Sequence, residues 1–266
     1  MLGCCLTPQA LEDPDKLEAT FVFCAIWAFG SALTVSDDGT DNKKIFSDWW
    51  RGEWKTVKFP SRETIFDYWL DPEEFTFDQW TKSPHFTTID YESTTPMAQV
   101  TVPTQETVAV TFWMDKLVAN RSPIMLAGPS GTGKTQMVNG MLAALDPAKT
   151  VFSTINFNFY TTSAVLQNTM AIPLVKKMGI QFGPPGNTKL IYFVDDINLP
   201  EVDAYNTQSG IEVLRQHMEY EHVYDLNKLS TNPMKKISGT QVVSCMNPTA
   251  GSFLINPRLQ RWFTTF

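Results

Sequence analysis

The spacing of apolar and polar positions divides the chain near residue 95. From about residue 96 onward, short apolar runs alternate with longer stretches whose apolar residues recur at helical spacing. "VPTQETVAVTFWMDKLVA" predicts a helix with Thr104 as its N-cap. "SPIMLAG" reads as a strand ending in glycine. "KTQMVNGMLAAL" carries Met137, Val138, Met141, Leu142 and Leu145 on a helical face and stops at Asp146-Pro147. "TVFSTINFN" predicts a strand, "TTSAVLQNTM" a helix, "KLIYFVDD" a strand, "DAYNTQSGIEVLRQHM" a helix and "TQVVSCMN" a strand. Strands separated by helices imply an α/β fold, a parallel sheet covered by helices on both faces.

Residues 1–95 read differently. A helical run spans roughly 15–34, a polar loop follows, and "IFSDWWRGEW" predicts a second helix. "FPSRETIFDYWLDPEEFTFDQW" reads as short strands and turns punctuated by Pro60 and Asp71-Pro72. Trp27, Trp49, Trp50, Trp54, Trp69 and Trp80 fall here, six of the eight tryptophans of the chain. Such a cluster is either a ligand or partner surface or a core, and large aromatics in a small domain favour the core. This part is expected to be a small, aromatic-rich, mixed α+β extension.

Composition removes several function classes. The net charge of -7 provides no basic stripe for nucleic acid. The longest apolar run, "FVFCAIWAFGSAL", falls short of the ~20 residues a membrane-spanning helix needs. Met1 to Ala10 has no basic start with an apolar core, so no signal peptide is expected. Cys4, Cys5, Cys24 and Cys245 match no zinc spacing, and reduced thiols are expected. His85, His217 and His222 form no ligand pair.

The chemistry lies in "GPSGTGKT", which fits G-x-x-x-x-G-K-[ST] at every position. Gly128, Gly131 and Gly133 let the backbone bend around phosphate oxygens, with Pro129, Ser130 and Thr132 completing the loop. The helix opening near Lys134 adds the positive end of its dipole. Lys134 is expected on the β and γ phosphates, and the Thr135 hydroxyl on Mg²⁺. In "LIYFVDDINLP", Asp195 emerges from the predicted strand as a further Mg²⁺ ligand. Asp196, read as still on the strand and facing the other way, is the candidate for polarising an attacking water. Asn247, ending the last predicted strand, is a candidate for orienting that water or touching the γ phosphate. Arg258 and Arg261, three apart, can share one helix face. They are either arginine fingers toward a neighbouring subunit or surface arginines with carboxylate partners.

These elements in this order resemble an AAA+ ATPase, a P-loop NTPase. "FVFCAIWAFGSAL", "WKTVKFPSRETIFDYWLD", "FNFYTTSAVLQ", "FGPPGNTKLIYFVDD", "NLPEVDAYNTQ", "LRQHMEYEHVYD" and "SCMNPTAGSFLINPRLQRWF" resemble an axonemal dynein heavy chain, most of all its outer-arm β type. The likeness covers nearly all of residues 20–266. It implies that residues 1–95 are the C-terminal extension of the second AAA module and that 96–266 are the large subdomain of the third. It further implies ATP or ADP with Mg²⁺ as cofactors, an adenine contact around Val102, and a regulatory role gating the main hydrolysis site. The implied partners are the neighbouring modules, microtubules through other parts of the chain, and dynein intermediate and light chains. The implied location is the cytoplasm and the axoneme of a cilium or flagellum. The chain stops inside what the resemblance makes the fifth strand, so a fragment is expected. Asp196 stands where such machines usually carry glutamate, so slow hydrolysis is expected. A stand-alone AAA+ remodelling ATPase and a truncated, non-functional paralogue are the alternatives. A GTPase is disfavoured because "NKLS" at 227–230 lacks the aspartate of a guanine clamp.

Overall fold

A computed structural model describes residues 1–87, 102–226, 228–231, 234–248 and 255–266. The chain forms two compact units, Met1–Asn120 with Phe266, and Arg121–Thr265. The boundary expected at 95/96 falls outside the described residues.

In the first unit the helices are α1 (Leu2–Cys5), α2 (Pro8–Glu12), α3 (Pro14–Gly30), α4 (Asn42–Glu53) and α5 (Gln105–Ala119). Strands β1 (Tyr68–Leu70) and β2 (Phe77–Gln79) form an antiparallel ladder. Proline at the first helical position and the Asp13 carboxylate on the Asp15 amide start α3. Thr104 and Thr107 cap α5 reciprocally, as Thr104 was expected to. The tryptophans are mostly core. Trp27, Trp50, Trp69, Trp80 and Trp113 are buried, and Phe23 stacks on Trp113 with centroids 5.1 Å apart. Trp54 is partly buried against that core, and Trp49 is exposed on α4.

The second unit is built on β3 (Ile124–Ala127), α6 (Lys134–Ala144), β4 (Thr150–Asn156), α7 (Ser163–Ala171), β5 (Val175–Lys176), β6 (Gln181–Gly183), β7 (Lys189–Asp195), α8 (Ser209–Tyr220), β8 (His222–Tyr224), β9 (Met234–Ile237), β10 (Thr240–Met246), α9 (Pro257–Gln260) and β11 (Thr264–Thr265). The main sheet is parallel, in the order β11-β3-β10-β7-β4. Leu190, Tyr192 and Val194 join a core with Leu166 and Met170 of α7 and Ile211 and Leu214 of α8. Ile191 and Phe193 alternate with them and are buried on the other face. A strand buried on both sides needs the continuous apolar run the sequence shows.

Two features differ from the expectations. The helix expected from Asp203 begins only at Ser209. The Asp203 carboxylate instead accepts from the Tyr205 and Thr207 amides and the Thr207 hydroxyl, and Asn206 turns left-handed. A second sheet, β5-β6-β9-β8, had no counterpart in the sequence reading. Its strands are two to four residues long, too short for an alternating pattern to register.

Candidate nucleotide site

Parallel strands deliver their carboxyl ends to one edge, where ligands bind in open α/β sheets. Here β3 delivers Gly128, β7 delivers Asp195 and β10 delivers Asn247. The Gly128 amide donates to the Met246 carbonyl at 3.1 Å, and the Ile197 amide to the Cys245 carbonyl at 3.1 Å. These bonds tie the three strand exits together.

The loop turns sharply at Gly131 and Gly133, both at φ 82°, a region closed to most side chains. Gly133 is the N-cap of α6, so the loop leads directly into the first-turn amides of that helix. Lys134 Nζ reaches back to donate to the carbonyls of Gly128 and Pro129, both at 2.7 Å. Its ammonium is thus held over the loop, where phosphate oxygens would take over its donors. Ser130, Gly131 and Thr132 are exposed, and the Thr132 hydroxyl donates to the Pro129 carbonyl.

Thr135 and Asp195 are 60 residues apart in sequence and meet here. The Thr135 hydroxyl donates to Asp195 Oδ2 at 3.0 Å. This all-oxygen pair fits Mg²⁺, which takes one or two protein oxygens and fills its octahedron with water and phosphate. No cluster of three or more His, Cys, Asp or Glu side chains suited to a metal occurs among the described residues.

Asp196 requires a correction. The strand ends at Asp195, and Asp196 turns left-handed at φ 53°. It does not face away on a continuing strand. The Asp195 side chain accepts from the Asp196 amide at 3.1 Å and holds the turn. Partial burial, and then the neighbouring Asp195, raise the Asp196 carboxyl above its ordinary value, with Lys134 opposing.

Asn247 follows β10, and its carbonyl accepts from the Asn198 side chain at 2.9 Å. The sequence reading passed over Asn198. It is buried, and the Gln208 side chain donates to its carbonyl at 3.4 Å. The signal was a polar residue inside an otherwise apolar stretch, three positions after Asp195.

The arginines are not brought to the loop. Among the described residues, no hydrogen bond or ion pair joins either side chain to residues 128–135. The Arg258 amide donates to the Asn256 cap, and its side chain is exposed. Arg261 pairs with Glu219 of α8 at 3.2 Å, and Glu219 also holds Arg215 at 2.6 Å. Val102 lies in the first unit, ahead of α5, and is exposed.

The parallel five-stranded sheet and the glycine loop capping α6 define an AAA+ P-loop module. The chain belongs to the dynein heavy chain family: the P-loop containing dynein motor region matches residues 89–266 and the dynein heavy chain AAA lid domain matches residues 3–82. It is 50% identical over 270 residues to dynein axonemal heavy chain 9 of Homo sapiens, and 46% identical over 269 residues to the ciliary dynein beta chain of Tripneustes gratilla. It is 45% identical over 264 residues to the flagellar outer-arm dynein alpha chain of Chlamydomonas reinhardtii. These alignments cover 98% to 100% of this chain and 6% of each relative, so the chain spans a small part of their length. No helix among the described residues is long and apolar enough to cross a membrane.

Proposed function

We propose that the phosphate loop binds ATP or ADP with Mg²⁺ and hydrolyses ATP slowly, as a regulatory site within an axonemal dynein motor. The observation that carries this is the meeting of Thr135 with Asp195 beside a fully formed loop whose lysine is already in place. Backbone amides of residues 131–135 receive phosphate oxygens, and Lys134 moves from its carbonyl partners onto the β and γ phosphates. Thr135 and Asp195 would hold Mg²⁺, which when bound neutralises charge on the phosphates. Asp196 accepts a hydrogen bond from the attacking water, with Asn247 as the second polar group at that edge.

The finer placement follows the resemblance. Residues 1–95 are the extension of the second module and 96–266 the large subdomain of the third, working by gating the main site of the motor. Arg258 and Arg261 reach the nucleotide of a neighbouring module, and the Glu219 pair holds Arg261 until then. Val102 contributes to the adenine contact. Microtubules, neighbouring modules, and intermediate and light chains are the proposed partners, and the axoneme of a cilium or flagellum the proposed location. The outer-arm β assignment rests on the sequence resemblance and is tested by which arm incorporates the full heavy chain.

Nucleotide binding and single-turnover hydrolysis, measured on the same chain, test the reading. ATP is expected to bind and to persist uncleaved for many seconds, with Asp196→Asn slowing cleavage further, by about 100-fold. Rapid cleavage unaffected by Asp196→Asn contradicts it.

A further inference from the structure

Arg258 and Arg261 sit in different surroundings, although three residues separate them. They belong to α9, a single turn that cannot hold its own direction without packing. Leu259 and Phe263 bury its inner side, and α8 fixes the rest through a row of charged groups. Glu212 of α8 accepts from the Asn256 side chain at 3.1 Å, and Asn256 caps α9 by accepting from the Arg258 amide at 2.9 Å. Arg215 donates to Glu212 at 2.7 Å and to Glu219 at 2.6 Å. Spacings of three and four residues put all three side chains on one face of α8. The Arg215 side chain is 13% exposed, so its planar fork holds both carboxylates in fixed positions.

Glu219 gives one oxygen to Arg215 and the other to Arg261, which donates to it at 3.2 Å. The second pair is lopsided: the Glu219 side chain is 17% exposed and that of Arg261 58%. The carboxylate is the fixed post and the guanidinium the movable partner. Arg261 also rests over the Trp262 ring, 5.5 Å from its centroid. Arg258 has no ion pair among the described residues, and its side chain is exposed.

We propose that Glu219 is a latch, a positioning residue that withholds Arg261 from the nucleotide of a neighbouring module and releases it when a γ phosphate is there to receive it. This rests on the reading of Arg261 as reaching that nucleotide. Each state pairs the same guanidinium with an anion, so release exchanges one charge-assisted contact for another. An ion pair with one exposed partner is weak, which lets a phosphate displace the carboxylate. Arg215 sets the strength of the latch, because a carboxylate it already partly neutralises holds Arg261 less tightly. While the latch is closed Arg261 is unavailable, and the neighbouring grip on ATP is reduced by the fraction of time spent closed.

The test is release of labelled ATP from the intact heavy chain, chased with unlabelled ATP. Arg261→Ala is expected to speed one phase of release, which marks the neighbouring site. Glu219→Gln opens the latch and is expected to slow that same phase, by about 2- to 5-fold, the range an exposed ion pair supports. Glu219→Ala should give the same sign. In the Arg261→Ala background neither substitution should change the phase. A merely structural Glu219 predicts the opposite sign, since loosening α9 would misplace Arg261 and speed release. If Arg261→Ala leaves every phase unchanged, Arg261 reaches no nucleotide and the latch falls with that reading. If Arg261→Ala acts while the Glu219 variants leave the phase unchanged or speed it, the latch alone is overturned.

Discussion

At the end of β7 a single backbone torsion explains a side chain. Asp196 sits at φ 53°, a left-handed conformation that a short polar side chain such as aspartate tolerates. Asp196→Glu extends the carboxylate by about 1.5 Å. It is expected to speed single-turnover hydrolysis roughly 10- to 100-fold while costing about 1 kcal/mol of stability; chemical denaturation and a quench-flow trace measure the two halves. Unchanged hydrolysis would remove Asp196 from the catalytic account. His217 carries a pH effect. It is 3% exposed, its Nε2 meets the Thr240 hydroxyl at 3.0 Å, its Nδ1 has no partner, and burial pushes it down to about 4. The unfolded chain protonates this histidine from about pH 6.5 downward, and the folded chain does not until about pH 4. Stability is thus expected to be flat in this term above pH 7. It should fall by about 3 kcal/mol between pH 6.5 and 4 and level off below. His217→Gln should flatten that segment of a denaturation-against-pH curve.

Between the residues and the whole molecule, the elements show what a sequence can and cannot announce. Thr104→Ala removes the reciprocal cap of α5 and is expected to cost about 1 kcal/mol in a denaturant titration. That cap was readable because a β-hydroxyl residue directly precedes the helical pattern. The strands of the parallel sheet were readable for a related reason: burial on both faces demands unbroken apolar runs such as Leu190 to Val194. The phosphate loop was readable because a glycine backbone and one lysine are needed in fixed order. What escaped was set by tertiary contact. The late start of α8 depends on the Asp203 carboxylate finding the Tyr205 and Thr207 amides. The small sheet depends on pairings such as Phe182 with Ile237, far apart in the chain. Asn198 matters through Asn247, and no spacing rule joins positions 198 and 247. The turn at Asp196 was hidden because the apolar run gives no sign of where the strand stops.

At the scale of the whole chain, an aromatic-cored unit and a P-loop unit occupy one sequence that corresponds to 6% of the length of its relatives. The net charge of -7 is compatible with binding an anionic nucleotide only because the loop amides and Lys134 supply local positive potential. Everything proposed about regulation depends on that local site being competent. The most direct measurement is equilibrium binding of ATP to the intact chain with Mg²⁺ present, compared with Lys134→Ala. The account predicts saturable, one-to-one binding that weakens at least about 30-fold in the variant, as loss of a charge-assisted contact of about 2 kcal/mol requires. No saturable binding, or equal affinity in the two chains, would contradict it.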